Sequence, residues 1–99
     1  MAKKLPTKAD KLRWAIMTEI GCLLCGRPPE IHHITGAGIG RKAPHNETLA
    51  LCPLHHRHGG LGIAIHAGVK SFEKIHGYQR ELLELQNRLI DGHTQLTGN

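Results

Sequence analysis

Aromatic residues are almost missing from this chain, which has one Trp, one Tyr and one Phe in 99 residues. A domain this short with so few large rings buries a modest core, so a metal staple is a natural further source of stability. The same shortage leaves no platform on which the bases of a single strand could stack. No apolar run opens the chain and none is long enough to span a membrane, so neither a signal peptide nor a membrane anchor is expected. The three cysteines cannot all pair. A CxxC pair in a cytosolic chain favours a metal over disulfides. The Gly-rich stretch 36–40 lacks the GK[ST] and the following helix of a phosphate-binding loop, which excludes a P-loop. No repeat and no low-complexity block is present. Acidic residues are outnumbered, 8 against 13 Lys and Arg, for a formal charge of +5. That balance suggests a polyanionic partner without requiring one.

What is present reads as one domain over 1–99, with a core at about 22–77 and a helix on either side. Thr7 and Asp10 have the spacing of a capping box. Leu12, Ile16 and Ile20 then recur at helical spacing, so 8–20 is expected to be an amphipathic helix ending at Gly21. Lys8, Lys11 and Arg13 make this helix basic, either as a solvated face or as a contact for phosphates. Arg27-Pro28-Pro29 cannot lie inside a helix. Ile31–Ile34 is a short strand candidate. The loop through Arg41 and Lys42 is either a linker or a contact for a nucleic-acid backbone. Asn46–Leu51 reads as a turn and a short strand, and Pro53 starts a helix over 53–58. Gly59, Gly60 and Gly62 break it. A short helix follows at 69–76. Tyr78, Leu82, Leu85 and Leu89 then mark a helix over 78–90, packing on the core or on a second copy. Beyond Asp91-Gly92 the tail is polar.

The cysteines supply the sharpest signal. Cys22-x2-Cys25 and Cys52-x2-His55 are two ligand pairs with matching spacing. Two intervening residues let a knuckle turn aim both ligands at one tetrahedral ion, and thiolates with imidazole suit Zn²⁺. A structural zinc on Cys22, Cys25, Cys52 and His55 is therefore expected.

Histidines His32, His33, His56, His58 and His66 remain in the same stretch, with Asn46 between them. Neighbours on a strand point to opposite faces, so His32 and His33 divide their labour, one holding metal and one handling protons. His56 should point away from His55. His58 reads as a surface or phosphate-contacting residue, and His66 follows an apolar run that suggests burial near the site, where it could add a metal ligand. His45, His76 and His93 receive no role.

CxxC, His32-His33, Asn46 and Leu51-Cys52-x2-His55-His56 together resemble the HNH nucleases over residues 22–58. The continuation from Gly59 to His66 and on to about residue 77 is similar to the phage Ref-type nucleases, which act with RecA filaments. The resemblance implies a small α+β fold, a ββα-metal core related to the treble clef, held by a structural zinc and flanked by N- and C-terminal helices. It implies that His32 and His56 bind a catalytic Mg²⁺ or Mn²⁺, a place Zn²⁺ or Ni²⁺ could also take, with His66 a further candidate ligand. It implies that His33 is the general base and that Asn46 orients it. The chemistry agrees. Phosphodiester hydrolysis needs a water deprotonated near neutral pH and a divalent ion for the developing charge. One departure from the pattern is the short basic N-terminal region, which bears on filament dependence.

The expectation is thus a metal-dependent DNA endonuclease of low sequence specificity, encoded by a phage or prophage, linked to recombination and working in the bacterial cytoplasm as monomer or dimer. Lys3, Lys4, Lys8, Lys11, Arg13, Arg41, Lys42 and Arg57 are its candidate DNA contacts, with a RecA-type filament as a further partner. The alternative is a zinc-stabilised DNA-binding or adaptor module without catalysis. A phage assembly protein using helix 78–90 as its partner surface is a third reading.

Overall fold

Thr7 and Asp10 close the capping box that their spacing predicts. The Thr7 hydroxyl accepts from the Asp10 amide at 3.1 Å, and the Asp10 carboxylate accepts from the Thr7 amide at 2.8 Å. Two orphan amides of the first turn are thereby satisfied, and α1 (Lys8–Ile20) follows. In the computed structural model, residues 5–34 and 43–97 are described, the last four by backbone alone. The order after α1 is β1 (Glu30–His33), β2 (Thr48–Leu51), a π-helical turn (Leu54–His58), a 3-10 turn (Ile65–Ala67), α2 (Val69–His76) and α3 (Gln79–Thr97). This is a small α+β arrangement whose sheet has two strands. Among the described residues no helix is long and apolar enough to cross a membrane.

β1 and β2 are antiparallel, with His32 opposite Leu49 and His33 opposite Thr48. Period-two alternation therefore sends His32 and His33 to opposite faces. The free edge of β2 is closed by side chains and by the segment after α1. The Ala50 amide donates to Gln86 Oε1 at 2.9 Å, and the Ala50 carbonyl accepts from the Leu23 amide at 2.8 Å. The Thr48 carbonyl accepts from Arg13 Nη2 at 2.8 Å. Thr48 and Ala50 are two residues apart, so their backbone groups both face outward, as the pleat requires.

The core gathers Ile34, Leu49, Leu51, Ile65, Phe72, Leu82 and Leu83, together with Cys22 and Cys52. Two helix faces differ from the sequence expectation. On α1, Leu12 is 62% exposed, and Met17 is the buried residue, flanked by half-buried Arg13 and Trp14. On α3, Leu82 is buried, but Leu85 and Leu89 lie at the margin and Tyr78 is exposed. Gln79 and Gln86 occupy the buried stripe with Leu82 and Leu83. Each amide oxygen has a partner, His32 for Gln79 and the Ala50 amide for Gln86, which offsets part of the cost of burial, while Gln86 Nε2 is buried without a hydrogen bond among the described residues.

α3 also runs past Gly92 to Thr97, seven residues beyond the expected end. A mid-helix Gly costs only about 1 kcal/mol relative to Ala, too little to stop a packed helix. His93 on this extension meets Glu19 of α1 at 3.8 Å.

Gly21 is a different case. Its φ is +95°, and a Cβ there would lie 2.4 Å from the Gly26 carbonyl oxygen. The turn that leads from α1 into Cys22 therefore admits only glycine.

These two glycines predict opposite outcomes in urea melts. Gly21→Ala should cost about 1–3 kcal/mol, because a non-glycine residue is forced to a rare φ against a neighbouring backbone. Gly92→Ala meets nothing within 4 Å and should stabilise by about 0.4–1 kcal/mol. A destabilising Gly92→Ala would place the end of α3 before residue 92.

Candidate metal centres and cleft

The turn after Gly21 is built around Cys22. The Gly26 amide donates to the Cys22 carbonyl at 2.8 Å, and the Leu24 amide points at Cys22 Sγ at 3.4 Å. The Leu23 bond to Ala50 anchors this knuckle on β2, two residues before Cys52. His55 then turns back from the π-helical turn. Its Nδ1 lies 3.2 Å from Cys52 Sγ and 3.6 Å from Cys22 Sγ, and Cys25 Sγ lies 3.6 Å from Cys52 Sγ. All four ligand atoms fall within 4.8 Å of one another, close enough to hold a metal ion. Tetrahedral Zn²⁺ with bonds of ~2.3 Å to sulfur and ~2.0 Å to nitrogen would set edges of roughly 3.5–3.8 Å, so the donor set fits. None of the three cysteines is in a disulfide. Burial, then the neighbouring His76 and Arg27, lowers the His55 pKa and keeps the ring in its ligating form. His76 itself packs edge-on against His55 with centroids 5.8 Å apart, backed by Phe72 at 4.6 Å. No role was expected of it, yet it helps wall this centre.

His56 follows His55 directly but faces elsewhere. The turn at 54–58 is wide, closed by the Gly59 amide on the Leu54 carbonyl at 2.8 Å. π-Helical turns of this kind recur at functional sites. His56 is 4% exposed, with Nδ1 2.7 Å from Glu30 Oε1 and Nε2 3.0 Å from His66 Nε2. His32 completes the group, its ring centroid 5.2 Å from that of His56 and 5.3 Å from that of His66. His32 Nε2 lies 3.1 Å from Gln79 Oε1. These three imidazoles form a second cluster able to hold a metal. Two nitrogens 3.0 Å apart match a cis edge of an octahedral ion with bonds of ~2.1 Å.

Electrostatics favour the neutral form of His32 and of His66. Burial pushes the His32 pKa down to about 4, with the neighbouring histidines adding to it and the Gln79 bond opposing it. Burial, His56 and Arg57 lower that of His66, while Glu30 raises it. Glu30 is itself lowered, first by its hydrogen bond with His56. Neutral imidazoles carry the lone pairs that a cation needs.

A cleft of about 220 Å³ opens beside this cluster, lined by Ile31, His32, His33, Ile34, His56, Arg57 and His66. His33 lies on its border, on the other face of β1. Its Nε2 is 2.9 Å from His45 Nδ1, and Trp14 meets both rings edge-on at 6.2 and 5.3 Å. Trp14 Nε1 donates to the His45 carbonyl at 3.3 Å. Asn46 stands next to His45 on an exposed turn, and no hydrogen bond among the described residues joins it to His33. A ring partner of His33 is thus the residue before the expected one. His45 lay one position from a recognisable motif residue, and spacing alone could not separate the two.

The candidate DNA contacts divide. Lys8, Lys11 and Arg57 are exposed. Arg13 is a correction. Its Nε and Nη2 donate to Thr48 Oγ1 and the Thr48 carbonyl at 3.1 and 2.8 Å, and its Nη1 donates to Asn87 Oδ1 at 2.7 Å. That guanidinium braces α1 against β2 and α3 and has left the solvated face. Lys3, Lys4, Arg41 and Lys42 lie outside the described residues. His58 is exposed.

No match was found among curated proteins or among solved structures. A family model does match, over residues 6–91, and its description is recombination enhancement, RecA-dependent nuclease. The matched span runs from before α1 through most of α3 and contains both clusters and the cleft. The chain therefore belongs to the family of recombination-enhancement, RecA-dependent nucleases.

Proposed function

We propose that this chain is an HNH-type endonuclease that hydrolyses phosphodiester bonds in DNA. The observation that carries the reading is the gathering of three imidazoles, His32, His56 and His66, beside one cleft that His33 also borders. The family match supports nuclease action together with a RecA filament. Cys22, Cys25, Cys52 and His55 would hold a structural zinc. The order β-hairpin then helical turn, with ligands from both, supports a ββα-metal core.

His32, His56 and His66 would hold the catalytic Mg²⁺ or Mn²⁺. Such an ion, when bound, supplies positive charge against the developing phosphate and the leaving oxygen. His33 accepts the proton of the attacking water at a ring nitrogen, which a neutral imidazole does well near pH 7. His45 and the turn at Asn46 orient that ring. Lys8, Lys11, Arg57, Arg41 and Lys42 would meet phosphates, giving salt-sensitive binding of low sequence specificity.

Supercoiled-plasmid nicking, run with a panel of divalent ions and with or without a recombinase filament, tests the activity. His33→Ala should lower the cleavage rate by about 10²–10⁴-fold while DNA retention and zinc content stay unchanged. Wild-type protein inactive under every condition would return the chain to the binding-module reading. Stripping the zinc with a chelator should abolish the cooperative CD melt, since site formation and folding are one equilibrium; an unaltered melt counts against a structural zinc. Acid should also act through His32. Its pKa falls from 6.5 to about 4 on folding, so between those values the unfolded chain binds the proton first. Stability is then full above about pH 6.5 and declines as pH falls toward 4. Without added divalent ion, His32→Gln should flatten that slope relative to wild type. Parallel curves would show that His32 is not held neutral.

A further inference from the structure

Two polar contacts of the histidine cluster have no part in the reaction as described. Glu30 is the first residue of β1 and lies two positions before His32, so both side chains leave the same face of the strand. From there Glu30 reaches His56 Nδ1 at 2.7 Å. A carboxylate only accepts, so Nδ1 of His56 carries the proton and Nε2 carries the lone pair. That Nε2 is the atom turned to His66 Nε2 at 3.0 Å. Gln79 works from the opposite side. It is the first residue of α3 and is 5% exposed. Its own amide donates to Glu73 Oε2 of α2 at 2.8 Å, which fixes where the side chain starts. Its Oε1 accepts from His32 Nε2 at 3.1 Å. With Nε2 protonated, Nδ1 is the only atom His32 can offer to a ligand.

We propose that Glu30 and Gln79 are positioning residues that fix the tautomers of His56 and His32, so that one lone pair from each ring serves a single divalent cation. The proposal rests on the reading of His32, His56 and His66 as metal ligands. Both residues touch rings and neither touches the ion. Their action is to remove a choice. A free neutral imidazole distributes its proton over two nitrogens, and a ring in the wrong tautomer must rearrange before it can bind. Histidine ligands in metal sites are oriented in this way by carboxylates and carbonyls, and losing such a partner costs about 10–100-fold in metal affinity. The two supports come from opposite ends of the fold. One is on the hairpin and one is at the α2–α3 junction, so the C-terminal helix takes part in the site as well as in the core.

The test is Mn²⁺ binding by the full-length, zinc-loaded protein, read by EPR titration with no DNA present. Glu30→Ala should weaken Mn²⁺ binding about 10–100-fold, and Glu30→Gln, whose amide oxygen still accepts, should restore most of it. Gln79→Leu should weaken binding similarly and Gln79→Glu should restore it. Zinc content and the CD melt of each variant report on folding separately. Long-range ¹H–¹⁵N spectra of the Mn²⁺-free protein supply a second readout. His56 should show one tautomer, protonated at Nδ1, in wild type and a mixture in Glu30→Ala. Unchanged Mn²⁺ affinity in Glu30→Ala overturns the role of Glu30, and unchanged affinity in Gln79→Leu overturns that of Gln79. A wild type that binds no Mn²⁺, or a His56→Ala variant that binds as tightly, overturns the metal-site reading beneath both.

Discussion

Closure of the Cys22 knuckle onto Cys52 and His55 is the contact from which the rest of the arrangement is placed. Gly21 admits no side chain because its turn folds back on Gly26, so the chain leaves α1 in one direction only. That direction lays Leu23 along β2, which fixes the hairpin. The hairpin then sets His32 and His33 on opposite faces, and the wide turn after Cys52 sets His55 and His56 on opposite sides. A core of few aromatic residues gives modest packing, and four donors around one ion would add to it, because site formation and folding would then share one free energy.

Two clusters with different needs stand back to back. The sulfur-containing one has Cys22 and Cys52 in the buried core and Cys25 exposed. The all-histidine one borders a cleft and keeps His66 and Arg57 exposed. Of the two, the cluster beside the cleft is the one that would leave open positions to an ion meeting a substrate. Chain economy is notable, since adjacent residues in a five-residue turn serve both.

Much of this was legible in the residues and some was not. α1 and α2 fell where capping and glycine punctuation put them, because those signals are local. The ligand pairs of the first cluster were legible because thiolates at that spacing have few other uses. The buried stripe of α3 was misread because hydrophobic periodicity counts apolar residues. It cannot see that Gln79 and Gln86 have partners waiting on His32 and Ala50. Arg13 was misread for the same reason, as its acceptors are 35 and 74 residues away. His45 was passed over because a motif names positions, whereas the turn decides which neighbour reaches the ring.

The outer edge of β2 holds a consequence of another kind. A two-stranded sheet has edges that invite another strand, and an open edge is a template for addition and aggregation. Here Gln86, Leu23 and Arg13 occupy outward groups of Thr48 and Ala50. The hairpin is thus closed to growth on that side. A protein partner approaching that side would have to be met through side chains and loops, because β2 offers no seam there along which a further strand could be stitched.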